Sequence, residues 1–424
     1  MQFSDFGLNA AIMAGVEAAG YSKPTPIQSE AVPVAMQGHD LMGIAQTGTG
    51  KTAAFALPMM NRFIGKPRKL RGLVIGPTRE LAEQIQDSFR SLGAKTGLKS
   101  ATIYGGVGMN PQLQALRQGV DIVVACPGRL LDHMQQRTIS LADIEVLVLD
   151  EADQMFDMGF LPSIERIIKA LPRERQTMLF SATMPPEIRT LASRILRNPK
   201  TVQVGKVAPA HTIAHAVYPV AKSAKTAFLL HFLNTTAYDS VLVFMRTKHA
   251  AKKLAIKLEK DGYAAASLQG NLSQNKRQAA MEGFRTGKFK ILVATDIAAR
   301  GIDVSRVSHV VNFDVPSTAE TYQHRIGRTG RAEKSGEAVT LMAGEDASMI
   351  RDIERYLGKS LERKNLAGFV PPTHAEAAAA DAADRHAART QGHGQQPQRH
   401  GRGHRAPQRR HGPARSASSG GRSR

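Results

Sequence analysis

The chain has 424 residues, 42% of them hydrophobic, enough for two compact domains of ordinary size. Its 57 Lys and Arg against 36 Asp and Glu give a formal charge of +21 and a pI of about 10.2, a field that favours polyanions, of which nucleic acid is the commonest. No run of about eighteen apolar residues suggests a membrane span, the opening MQFSDFGLN lacks the basic and apolar segments of a secretory signal, and the single cysteine, Cys126, cannot form an internal disulfide and fits a reducing cytoplasm.

In chain order, residues 1–28 lead into a block that runs to about residue 205. Short apolar runs at Asp40–Ala45, Leu73–Gly76, Asp121–Cys126, Val146–Leu149 and Met178–Phe180 alternate with amphipathic helical stretches. Such near-continuous apolar cores are expected of parallel strands covered on both faces, so the block reads as a doubly wound α/β domain over 29–205. The segment Val204–Ile213, with Gly205 and Pro209, reads as a linker. A second α/β block over 215–365 offers strands at Val241–Met245, Ala264–Leu268, Lys290–Ala294, His309–Phe313 and Ala338–Leu341. From 366 to 424 the pattern collapses. Ten arginines and no acidic residue follow from Arg385 onward, among Gly, His, Gln, Pro and Ser, and this tail is expected to be disordered.

The strongest chemical feature is Ala45-Gln46-Thr47-Gly48-Thr49-Gly50-Lys51-Thr52, between a predicted strand and a predicted helix. Gly48 and Gly50 let backbone N–H groups turn toward phosphates. Lys51 is placed to neutralise terminal phosphates, and the Thr52 hydroxyl to ligate Mg²⁺. Ala45 stands where the strict pattern has glycine. Its partner is Asp150-Glu151-Ala152-Asp153, directly after the apolar strand Val146–Leu149. Ligands of open α/β sheets bind beyond the carboxyl ends of the strands, which puts Asp150 at the magnesium shell and Glu151 where it can orient and deprotonate water. The two motifs together point to hydrolysis of a nucleoside triphosphate.

With these motifs the chain resembles the DEAD-box ATP-dependent RNA helicases over roughly residues 3–345. Phe3, Tyr21 and Pro24-Thr-Pro-Ile-Gln28 are similar to that family's adenine-reading Q motif, and the Gln28 carboxamide can both donate to and accept from a base edge. The resemblance implies two tandem RecA-like domains, with ATP and Mg²⁺ as cofactors and RNA as partner. Pro77-Thr78-Arg79-Glu80, Gly105-Gly106 and Cys126-Pro127-Gly128-Arg129 look like the family's RNA-contacting segments, whose hydroxyls and arginines suit phosphate and sugar oxygens. The usual pattern has threonine where this chain has Cys126. Ser181-Ala-Thr183 resembles the segment that hydrogen-bonds the last acid of the motif, here Asp153, and couples phosphate status to RNA.

The second block lacks a phosphate loop. It offers Ala294-Thr295-Asp-Ile-Ala-Ala-Arg300-Gly-Ile-Asp303 and Tyr322-Gln-His324-Arg325-Ile-Gly-Arg328-Thr-Gly-Arg331, and the latter resembles the family's arginine-finger motif. Arg325 and Arg328 lie three apart, so on one helical turn both would face one cleft and meet the charge of a transferring phosphoryl group. His324 is expected to serve coupling and Asp303 to accept a ribose hydroxyl. Thr247, Gly270, Gln274, Arg277 and Thr295 are further candidate RNA contacts.

The resemblance extends to a bacterial RhlE-like branch, a cytoplasmic enzyme with a monomeric core that clamps, bends and locally unwinds short RNA duplexes. Ribosomal or RNA-decay complexes are the partners it implies, and no membrane. The alternatives are a DNA-directed translocase on the same scaffold and an ATP-gated, non-catalytic RNA clamp. The arginine-rich tail reads either as an RNA-binding arm or as a solubilising segment.

Overall fold

A computed structural model describes residues 1–46, 48–204, 213–299, 307–329 and 336–372. Met1–Pro371 forms one compact unit, built on two parallel seven-stranded sheets. The first contains β1 (Leu41–Ile44), β2 (Gly72–Ile75), β3 (Ser100–Ile103), β4 (Ile122–Ala125), β5 (Val146–Leu149), β6 (Gln176–Ser181) and β7 (Lys200–Gln203), ordered 3-4-2-5-6-1-7. The second contains β8 (Ile213–Pro219), β9 (Val241–Met245), β10 (Ala265–Leu268), β11 (Ile291–Thr295), β12 (His309–Asn312), β13 (Gly336–Met342) and β14 (Glu362–Arg363), ordered 10-11-9-12-13-8-14. Counted from each sheet's own first strand, the two orders are the same.

The central strands are covered on both faces, so their successive residues are buried alternately on one side and the other. Val146, Val148, Val74 and Phe180 pack on one side of the first sheet, and Leu147, Leu149, Leu73, Ile75 and Leu179 on the opposite side. In the second sheet Val241, Val243, Ile291 and Val293 face one core while Leu242, Phe244, Leu292 and Ala294 face another. At about 25 cal/mol per Å² of apolar surface, this two-sided burial is the main stabilising term of both layers.

The sequence reading underestimates the sheet margins. β3, with the half-polar sequence SATI, and β7, in which only Val202 is buried, are edge strands with one covered face. β8 carries a histidine and three alanine or isoleucine positions of uneven burial, and it pairs with β13 from Ile213 onward. The second domain therefore begins before residue 215. Its end is also later than expected: Leu366 and Phe369 pack on its core, Phe369 edge-on to Phe228 with ring centroids 5.2 Å apart. Residues 366–369 are thus part of the second lobe, and the tail beyond Pro372 lies outside the described residues. No helix among the described residues is long and apolar enough to cross a membrane.

Candidate active site

The glycine-rich loop leaves β1 at its carboxyl end. The Ala45 N–H donates to the Ser181 carbonyl at 3.0 Å, which extends the β1–β6 pairing by one residue. Gly48 and Gly50 have φ of +82° and +91°, and Gly50 is the N-cap of the helix Lys51–Phe63. A side chain at Gly50 would also run into Gln28 and Thr25, so the position needs glycine for both backbone and space. The Thr49 hydroxyl closes the loop on the Gln46 carbonyl at 2.7 Å. Lys51, only 5% exposed, folds its Nζ back onto the Ala45 carbonyl at 2.9 Å. Thr47 lies outside the described residues.

Gln28 is 1% exposed and is engaged at both ends of its carboxamide. Its Oε1 accepts from the Thr25 N–H at 2.9 Å, capping the helix Pro26–Met36, and its Nε2 donates to the Gly50 carbonyl at 3.0 Å. One N–H and one lone pair remain for a base, so the residue ties its helix to the loop as well as offering an edge. Phe3 stacks edge-on to Tyr21 with centroids 5.9 Å apart, and burial pushes the Tyr21 hydroxyl pKa up.

Asp150 and Glu151 follow β5, each 2% exposed. Asp150 Oδ1 accepts from the Glu151 N–H at 3.0 Å. Glu151 has φ +54° and ψ +52°, a left-handed conformation that strains a residue with a Cβ and re-aims its side chain. Burial pushes both carboxyls upward, and Lys51 opposes this at each. At Glu151 the Arg328 guanidinium of the second lobe opposes it too. Asp153 is fully engaged with the strand end after β6. Its Oδ2 accepts from the Thr183 N–H and hydroxyl, both at 2.9 Å, and from the Ala182 N–H at 3.2 Å, while its own N–H donates to the Ser181 hydroxyl at 3.2 Å.

The arginines of the second lobe part company. The helix Ala319–Ile326 stops at Gly327, so Arg328 lies past its end and the shared helical face expected of Arg325 and Arg328 does not form. Arg325, 3% exposed, makes a two-pronged ion pair with Asp296 at 2.5 and 2.8 Å. It also donates to Asn312 Oδ1 at 3.1 Å and to the Asp314 carbonyl at 2.7 Å, above the Phe244 ring. Asp296, Asn312 and Asp314 all belong to its own lobe. His324 precedes it, half-buried. Asp303, like Arg300 and Arg331, lies outside the described residues.

A second cleft, about 510 Å³, runs between the lobes and is lined by Pro77, Thr78, Arg79, Gly128, Arg129, Gly270, Arg277 and Thr295. Gly106, Pro127, Thr247 and Gln274 do not line it. Thr78 and Thr247 are N-caps, accepting from the Leu81 and Ala250 N–H groups, and Gln274 takes a bond from Arg79 at 3.3 Å. Arg277 places Nε and Nη2 each 2.7 Å from Glu80 Oε1. The sequence reading omits Arg246 and Lys248, which line this cleft just after β9. Their signal is topological: β9 holds the place in its sheet that β2 holds before Pro77–Arg79.

Among the described residues, no group of three His, Cys, Asp or Glu side chains is suited to a metal. The hard oxygens of Asp150 and Thr52 fit Mg²⁺, which takes few protein ligands and completes its shell with phosphate and water. The upward push on Asp150 marks a buried acid that a dication would compensate.

Two tandem RecA-like domains, with a glycine-rich loop and a buried acidic motif at strand ends of the first, define the class. Residues 25–191 match the DEAD/DEAH box helicase family and residues 224–333 the helicase conserved C-terminal domain. The chain belongs to the DEAD/DEAH box helicases. It is 42% identical over 367 residues to the ATP-dependent RNA helicase DeaD of Buchnera aphidicola, covering 86% of this chain but 61% of that protein's length. It is 44% identical over 363 residues to the ATP-dependent rRNA helicase RRP3 of Ajellomyces capsulatus, covering 85% of this chain and 75% of that one. Among solved structures, S. cerevisiae Dbp5 bound to RNA and ADP BeF3 is 30% identical with a TM-score of 0.78, over 92% of this chain and 99% of that one.

Proposed function

We propose that the chain is an RNA-stimulated ATPase, converting ATP and water to ADP and phosphate, that clamps single-stranded RNA and locally separates short duplexes. The observation that carries this reading is Glu151, a strained, buried acid whose charge is supported by Lys51 from its own lobe and Arg328 from the other. A site divided in this way is complete only when the lobes meet. Lys51 exchanges its loop carbonyl for the terminal phosphates, Glu151 orients and deprotonates the attacking water, and Arg328 meets the developing phosphoryl charge. Asp150 and Thr52 would hold Mg²⁺, which would supply charge neutralisation to the phosphates. Gln28 and Tyr21 select adenine. Arg325, which holds Asp296 and the end of β12 in place, is the second guanidinium of the divided site beside Arg328.

The interlobe cleft is the RNA groove in this reading. Its arginines, hydroxyls and helix N-termini suit a sugar-phosphate backbone and carry no base preference. Asp153, Ser181 and Thr183 link the phosphate end of the site to it. Because both ligands span the lobes, each tightens the other's binding by linkage. The protein works in the cytoplasm as a monomeric core within ribosomal or RNA-decay assemblies. The rRNA helicase among its relatives supports ribosome assembly, and the compact two-lobed core supports the RhlE-like branch. The arginine-rich tail adds salt-sensitive, sequence-independent RNA affinity.

The test is ATP turnover by the full chain with single-stranded RNA, with duplex DNA and with neither, alongside unwinding of a short RNA duplex. RNA stimulation and unwinding are expected. Stimulation by duplex DNA but not RNA would instead identify a DNA-directed translocase, and ATP binding without hydrolysis a non-catalytic clamp. Removing residues after about 370 should weaken RNA binding at moderate salt while basal turnover persists.

A further inference from the structure

Beside the groove the lobes touch through two helices, Arg79–Leu92 of the first and Gln274–Arg285 of the second. The Glu80–Arg277 pair closes one end of this contact. One residue further along the second helix and nearly one turn along the first lies a separate contact outside the groove lining. Gln278 Nε2 sits 2.9 Å from both carboxylate oxygens of Glu83. Glu83 Oε1 also accepts from the Tyr104 hydroxyl, whose residue follows β3 in the first lobe and is buried. Tyr104 is itself fixed, its carbonyl receiving the Gln112 carboxamide at 3.1 Å. The carboxylate is therefore oriented from behind by its own lobe and presented to the other.

We propose that Tyr104, Glu83 and Gln278 form an interlobe latch, separate from the ATP and RNA contacts, that sets how readily the clamp closes. This rests on the reading of the chain as a closing clamp. Glu83 and Gln278 contact each other only when the lobes are together, so the bond adds to the closed state alone. A contact of that kind raises the fraction of binding-competent molecules, and with it the apparent affinity for both ligands, without touching the reacting atoms. Tyrosine matters because a carboxylate already held in place loses less rotational freedom when the lobes meet. The acceptor is charged, which strengthens the bond over a neutral pair. Glu83, Tyr104 and Gln278 are positioning residues in this scheme.

The experiment uses the full chain and steady-state ATPase titrated with RNA and with ATP. Glu83→Ala and Gln278→Ala should each raise KM for RNA about threefold to tenfold, the range a charge-assisted hydrogen bond supports. KM for ATP should rise in parallel, and kcat at saturation should stay within about twofold. The double variant should be no worse than either single one, and Tyr104→Phe should fall between them and the native chain. Gln278→Lys, which substitutes an ion pair, should lower KM. Native thermal midpoints in all variants exclude simple unfolding. Unchanged KM values in both single variants, or additive effects in the double variant, overturn the latch. Failure of the clamp reading itself has a different signature: no RNA-stimulated turnover in the native chain. Fluorescence transfer between dyes on the two lobes then decides the latch independently, since Glu83→Ala must still lower the closed fraction for it to stand.

Discussion

The two lobes share one strand order and even one lysine, yet they use it oppositely. In each, the helix after the first strand opens on a buried lysine: Lys51 after β1 and Lys225 after β8. In the first lobe six loop residues containing Gly48 and Gly50 intervene, and the strand β5 is followed by Asp150. In the second the connection has no glycine, and the corresponding strand β12 is followed by Phe313. Lys225 spends its charge at home, donating to the Phe313 carbonyl at 3.0 Å and pairing with Asp346 at 3.6 Å. Burial pushes its pKa down while Asp346 holds it up. Lys51 donates to a loop carbonyl instead, with the Asp150 and Glu151 charges nearby. The repeated fold supplies a position, and the residues after two strands decide whether its lysine faces a glycine-rich loop and buried acids or is pinned within its own lobe.

Breaking that comparison at its reactive end gives the largest effect. Lys51→Ala or Glu151→Gln should cut RNA-stimulated turnover by roughly 10²- to 10⁴-fold. Lys225→Met should leave turnover close to native and lower the urea midpoint instead, because the buried Asp346 loses the nearer of its two ion-pair contacts and keeps Arg246 at 3.9 Å. Equal losses of turnover in both would erase the distinction.

Next in size is Arg325→Ala. With Asp296 and Asn312 stranded, the second lobe should lose about 3 kcal/mol in equilibrium unfolding. A variant as stable as the native chain would mean that these contacts are replaceable by water.

A smaller effect concerns pH. Burial raises both carboxyls, and only the ionised Glu151 can take a proton from water. As pH falls through the raised value, the protonated fraction grows and activity drops. The acid limb of kcat/KM should therefore have its midpoint above the ordinary glutamate value of 4.5. A midpoint at or below that value would show that Lys51 and Arg328 outweigh burial.

The smallest effect is at Cys126. Burial, with Glu80 nearby, pushes its thiol up to about 12, so it is protonated at neutral pH. Iodoacetamide should modify it slowly in the native chain and quickly in urea. Rapid native labelling would contradict the burial.

The phosphate loop and the acids after β5 were legible because each is contiguous and bordered by a strand of apolar residues. Central strands such as Val146–Leu149 and Val241–Met245 were legible for the same reason: burial on both faces leaves an unbroken apolar run. Edge strands β3, β7 and β14 were not, since one exposed face or a two-residue length removes that signal. Gly327 ends the helix one residue before Arg328, so helical spacing alone does not relate Arg328 to Arg325. The bond from Gln28 to Gly50 spans 22 positions, and that from Arg277 to Glu80 spans 197. Contacts of that separation leave no trace in local periodicity, so the partners of Gln28 and Arg277 emerge only from the folded chain.

Arg328 is the most direct test of a site shared between lobes. RNA-saturated turnover of Arg328→Ala should fall about 10³-fold or more, while ATP affinity measured by nucleotide titration stays within a few-fold of native. Native turnover from that variant would show that the first lobe hydrolyses ATP alone, and the divided site would have to be given up.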